Sequence, residues 1–124
     1  MKRLSYAEIP VAMNRRVDFD GNSMSGRWLT HMPYTGQLGY EDSRRLRSDF
    51  LLAEMKGKPV YVITSYSTPI AWMINESWYV VTHKFSQTTS RHQGHCRAVA
   101  GLPWSHKNAP LKEINGETHW LLAA

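Results

Sequence analysis

The run Val60-Tyr-Val-Ile-Thr-Ser65 carries apolar residues at successive positions rather than at alternate ones. Neighbouring side chains of a strand point to opposite faces, so a strand of this kind has to be covered on both sides. It is therefore predicted to sit near the middle of a sheet. Pro69 follows closely, and proline cannot donate to a strand ladder. The chain is expected to bend there or to move to an edge. Ile70 to Ile74 and Trp78 to Thr82 then flank Asn75-Glu76-Ser77. Asparagine tolerates positive φ, which predicts a tight hairpin that joins the central strand, with Trp78 or Val80 largely buried. The C-terminal end repeats the device: Leu111 to Ile114 and Glu117 to Leu122 flank Asn115-Gly116, a strong hairpin signal.

Residues 1 to 39 are rich in turn formers. Arg16 to Phe19 alternates, Asp20-Gly21 offers a turn, and Asn22 to Trp28 is expected to return as a strand weakened by Gly26. Pro33, Gly36 and Gly39 predict loop. Glu41 to Lys56 has helical spacing, with Leu46, Phe50 and Ala53 on one face. Asp42 or Ser43 is the expected N-cap, and Lys56-Gly57 the expected end. Arg44, Arg45 and Arg47 crowd the first two turns, where cations oppose the helix dipole. A second, shorter helix is predicted from Arg91 to Ala100, capped by Thr89 or Ser90 and closed by Gly101-Leu102-Pro103. Gly94 within it lowers its helix propensity.

These elements predict a single α+β domain over residues 1–124. Its sheet is antiparallel and built from hairpins, with one long and one short helix packed on it. No repeat or linker divides the chain. A net charge of +5 suits a partner with phosphates or carboxylates. Five Trp and six Tyr exceed what a core of this size needs, and exposed aromatics suit binding surfaces. No apolar run approaches the roughly 18 residues of a membrane span. The start has basic residues without an apolar signal core. An intracellular protein with no membrane contact is the expectation.

Chemistry-bearing residues gather just after the β-rich block: His83, Lys84, Arg91, His92, His95, Cys96 and Arg97. A helix start offers free N–H groups to an anion, and Thr89 and Ser90 add hydroxyls. Arg91 adds a fork of donors suited to phosphate. The predicted nucleic-acid or phosphate contact set is therefore Lys84, Thr89, Ser90, Arg91, His92, His95 and Arg97. The plainer alternative is an N-cap with no ligand. Tyr66, Thr68 and Trp72 at the proline bend are candidates for contact with a protein, against a core role for Trp72. His92 and Cys96 share a helix face, and His83 could join them at a metal or thiol site. The missing ligand spacing argues against metal, and a lone Cys96 is expected to be buried and structural. Gly36-Gln37-Leu38-Gly39 lacks the Lys-Ser/Thr sequel of a phosphate loop, so no cofactor is expected.

Ser65-Tyr-Ser-Thr-Pro-Ile-Ala-Trp72, followed by Thr88-Thr-Ser-Arg-His-Gln93, resembles small proteins of bacteriophages, particularly phages of actinobacteria. The shared pattern is a serine-tyrosine-x-threonine-proline-isoleucine-alanine hairpin and a threonine-threonine-serine-x-histidine-glutamine helix start. It covers roughly a quarter of the chain. The resemblance implies a phage origin and action in the cytoplasm of a bacterial host; it carries no catalytic residue. Together the expectations describe a small, basic, non-enzymatic binding protein whose partner is nucleic acid or a nucleoprotein. The alternative is a protein that binds and inhibits a host protein, and the third a small metal- or thiol-dependent enzyme. Nothing in the sequence sets an oligomeric state.

Overall fold

A computed structural model describes residues 3–101 and the backbone of two further strands, 111–114 and 117–120. The elements in chain order are α1 (Ile9–Arg15), β1 (Phe19–Asp20), β2 (Met24–Leu29), α2 (Tyr40–Met55), β3 (Val60–Ser65), β4 (Thr68–Ile74), β5 (Ser77–Val80), α3 (Gln87–Val99), β6 (Leu111–Ile114) and β7 (Glu117–Trp120). Strands β1 to β5 form one antiparallel sheet in that order, and β6 pairs with β7 in a second. The fold is α+β.

The double-sided burial expected of Val60 to Ser65 sets the layers. Tyr61 and Ile63 join a core with Ile9, Met13 and Cys96, under α1 and α3. Val60 and Val62 join the opposite core with Leu46, Phe50, Ala53 and Trp72, under α2. The sheet thus lies between α1 and α3 on one face and α2 on the other, with β3 in the middle. Val80 is buried and Trp78 packs at the rim of the first core, as the hairpin required.

Three local expectations need correction. Pro69 does not interrupt the sheet: Thr68–Ile74 is one strand between β3 and β5. The register shifts beside it, with Ala71 opposite Ile63 and Pro69 opposite Thr64. Ile70 is the extra residue of this bulge, and Ile70 and Ala71 both enter the same core. Pro69 also lies beyond the last β4–β5 ladder pair, so the ladder with β5 asks no donor of it. Second, α2 begins at Tyr40 on Gly39, because Asp42 instead accepts from Tyr79 Oη at 2.7 Å. Third, α3 starts a turn earlier than Thr89 or Ser90 would set it. Ser86 is its cap, accepting from the Thr89 backbone N–H at 3.1 Å.

A helix not anticipated, α1, occupies the turn-rich N-terminal region. Pro10 suits its first turn, and Ile9, Ala12 and Met13 make one buried face. The Asn75-Glu76 turn has the expected form: φ is 51° and 68°, the two left-handed residues of a type I′ hairpin. The helix end at Lys56-Gly57 also stands where the sequence put it, and a β1–β2 hairpin forms with its turn shifted to residues 21–23, because Arg16 ends α1 instead of starting a strand. The turn Asn115-Gly116, the pair Leu102-Pro103 and the end of the last expected strand lie outside the described residues.

Candidate functional site

Ser65 closes β3, and the chain reverses through Tyr66 and Ser67 into β4. Tyr66 adopts φ 56°, a left-handed conformation uncommon for a side chain of this size. Its backbone N–H donates to the Ser23 carbonyl at 2.7 Å, which holds the turn against β2. The loop before α2 comes close on the other side. Gly36 has φ 58°, and a Cβ there would lie 2.8 Å from Thr68 Cα, so only glycine fits. The Gln37 backbone N–H then donates to Thr68 Oγ1 at 2.9 Å. Between this loop, the turn and the start of α3 is a pocket of about 550 Å³.

Ser65, Ser86 and Thr89 line its floor, and behind them the hydroxyl chain runs to the buried imidazole of His92. Ser65 Oγ lies 2.7 Å from His92 Nδ1 and 3.1 Å from Thr89 Oγ1. Ser86 Oγ donates to Thr89 Oγ1 at 3.1 Å. Burial lowers the His92 pKa from its ordinary value, and the neighbouring His95 lowers it further. The imidazole is therefore neutral near pH 7, and the network carries no charge. Ser65 and His92 stand at the distance of a nucleophile and its base. Both are buried, however, and among the described residues no carboxylate bonds His92 to orient it. The pair locks α3 to the sheet. Beside it, Gln93 Nε2 donates to the carbonyls of Val81 and His83 at 2.6 and 3.0 Å.

The predicted phosphate-contact set does not share one surface. Lys84 and Arg91 are exposed, Ser90 and His95 are half-buried, and Thr89, His92 and Arg97 are buried. The physical reason is register. Thr89, His92, Gln93 and Cys96 fall at i, i+3, i+4 and i+7, which is the inward stripe of α3. His92 and Arg97 are therefore buried rather than surface contacts, and Thr89 is reached only from the pocket that it helps to line. His95 meets the ring of Tyr6 edge-on at 4.3 Å, and burial lowers its pKa.

Of the candidate protein contacts, Tyr66 is exposed and the other two are not. Thr68 is buried, with its hydroxyl bound to the Gln37 backbone. Trp72 is a core residue: it stacks on Tyr79 at 4.7 Å and donates to Asp49 Oδ2 at 2.8 Å. Asp49 also pairs with Arg45 Nε at 3.1 Å, and Arg45 lies over the Tyr79 ring at 5.1 Å. One of the three cations crowding α2 thus has a structural place. Cys96 is buried, and burial raises its thiol pKa far above the usual range, with Arg97 opposing weakly. Among the described residues no group of three His, Cys, Asp or Glu could hold a metal, and His83 instead sits edge-on against Phe85 at 4.8 Å. No described helix is long and apolar enough to cross a membrane.

Tyr34, Gly36, Gln37, Ser65 and Ser86 belong to the site but were not among its predicted residues. The signal that could have found them is Gly36, a glycine between Pro33 and Gly39 in a loop that something has to approach. A family of unknown function, DUF8033, matches residues 19–102, from the start of β1 past the end of α3. No curated protein and no solved structure matches the chain.

Proposed function

We propose a function for this chain, which belongs to the DUF8033 family of unknown function: it is a small basic phage protein that binds nucleic acid or a nucleoprotein beside the start of α3. One observation carries this reading. Among the described residues the pocket is lined without any Asp or Glu, and exposed Lys84 and Arg91 stand just before and just inside the helix that forms its wall. The first backbone N–H groups of a helix have no intrahelical acceptor, and the dipole there favours an anion. The net charge of +5 adds long-range attraction for a polyanion. The two stretches that resemble phage proteins, Ser65–Trp72 and Thr88–Gln93, supply facing walls of this pocket and both sides of the hydroxyl network beneath it.

Fluorescence anisotropy with labelled oligonucleotides at several salt concentrations tests the proposal. Binding should weaken steeply with salt, because contacts to phosphates release condensed counterions. Lys84→Ala and Arg91→Ala should each lower the logarithmic slope by about one or slightly less. No binding at low salt, or binding indifferent to both variants together, would exclude this surface.

A second reading has its own support. Leu51, Leu52 and Met55 are exposed on α2, on the other side of the sheet. Such a face favours a protein partner, for which inhibition of a host protein is the alternative function. Capture that survives nuclease and is lost in Leu51→Glu would favour it.

A further inference from the structure

Resting on the nucleic-acid reading, we infer that the pocket takes one unpaired nucleotide and that the ligand is therefore single-stranded, its base stacked against Tyr34 and Tyr66. The two tyrosines line the same pocket and are 76 % and 61 % exposed. Tyr66 keeps that exposure in a left-handed backbone conformation, a local cost that is concentrated at functional positions. A volume of about 550 Å³ is in the range that encloses a small ligand and is too confined for a stacked duplex. A base inside a duplex reaches such a pocket only by leaving its stack, whereas a single strand presents it at little cost.

The rest of the lining fits a base and its sugar-phosphate. Ser67 and Thr88 are exposed and bring hydroxyls, and Gln37 brings an exposed side-chain amide able both to donate and to accept. Among the described residues no carboxylate, which would repel a phosphate, lines it. The floor is preorganised: Ser65 and Thr89 are fixed by each other and by His92, so binding has little to order there. Lys84 and Arg91 lie outside the pocket lining and suit the phosphates that follow in the strand. Aromatic stacking is tolerant of sequence, so the preference is for strandedness before base identity.

The experiment compares a labelled single strand with the duplex of the same sequence, for the wild-type protein and for Tyr34→Ala, Tyr66→Ala and Tyr66→Phe. The single strand should bind at least tenfold tighter. Each alanine variant should lose roughly five- to a hundredfold in affinity, the range of one lost stack, with the salt slope unchanged. Tyr66→Phe should retain most of the affinity. Thermal unfolding of each variant checks the fold, and Tyr34, outside regular structure, tests the pocket independently of the strained turn. Equal affinity for duplex and single strand, or salt-sensitive binding through Lys84 and Arg91 that ignores both tyrosines, would overturn the inference while leaving the nucleic-acid reading intact. Absence of any nucleic-acid binding would overturn both.

Discussion

Ser65, Thr89, His92 and Gln93 do with hydrogen bonds what methyl groups do elsewhere in this core. Each is buried, and each has a partner across the gap between sheet and α3. A buried polar group that loses its partner forfeits roughly 1–3 kcal/mol. His92→Ala should therefore lower the unfolding free energy by about 2 kcal/mol or more in denaturant titration. The same residue links stability to pH. His92 and His95 both have folded-state pKa values lowered from 6.5, His92 by burial and then by His95, His95 by burial. The unfolded chain then binds more protons just below 6.5, so stability is full above that pH and declines as pH falls through the folded-state values. Denaturant titrations between pH 7 and 5 should show this decline, flattened in His92→Asn. Cys96 is the counter-case, a thiol kept protonated by burial. It should be inert to an aromatic disulfide reagent in the native protein and react at once in denaturant, while Cys96→Ala leaves oligonucleotide binding intact.

At the scale of elements, the β4–β5 turn is built correctly but with one unsuitable residue. Glu76 sits at φ 68° and gains an exposed ion pair with Arg16 at 3.0 Å. A surface pair of this kind contributes little, while the left-handed conformation costs a non-glycine residue about 1 kcal/mol. Glu76→Gly should raise the melting temperature by a few degrees. How far the sequence disclosed these elements depended on which signal each one used. β3, α2 and the Asn75-Glu76 hairpin were legible because apolar spacing and turn chemistry agreed. The α3 start was misplaced because its inward stripe is written in Thr, His and Gln, residue types that periodicity counts as surface. Seven residues of α1 were missed because Pro10 and the surrounding turn formers outweighed a short apolar face. The pocket was half legible: Tyr66, Thr68 and Thr89 were named, but Tyr34 and Gly36 join them only through a contact 31 residues apart in sequence, Gln37 to Thr68.

Across the whole molecule, the sheet order repeats the chain order, β1 through β5, with every neighbouring pair antiparallel. That arrangement also governs how the chain reaches its fold. Four adjacent pairs need no crossover, and local pairing closes loops cheaply. The exception in length is the excursion through α2 between β2 and β3. β3, β4 and β5 can therefore assemble first from two tight hairpins, Tyr66-Ser67 and Asn75-Glu76, before β2 is recruited. Folding kinetics should divide along this line. Ile63→Val, in the first hairpin, should mainly slow refolding, whereas Phe19→Leu, in β1, should mainly speed unfolding. On a ribosome the consequence is a delay: β2 emerges with one edge unpaired and waits through about 30 residues of synthesis, a few seconds, for the strand that completes its ladder.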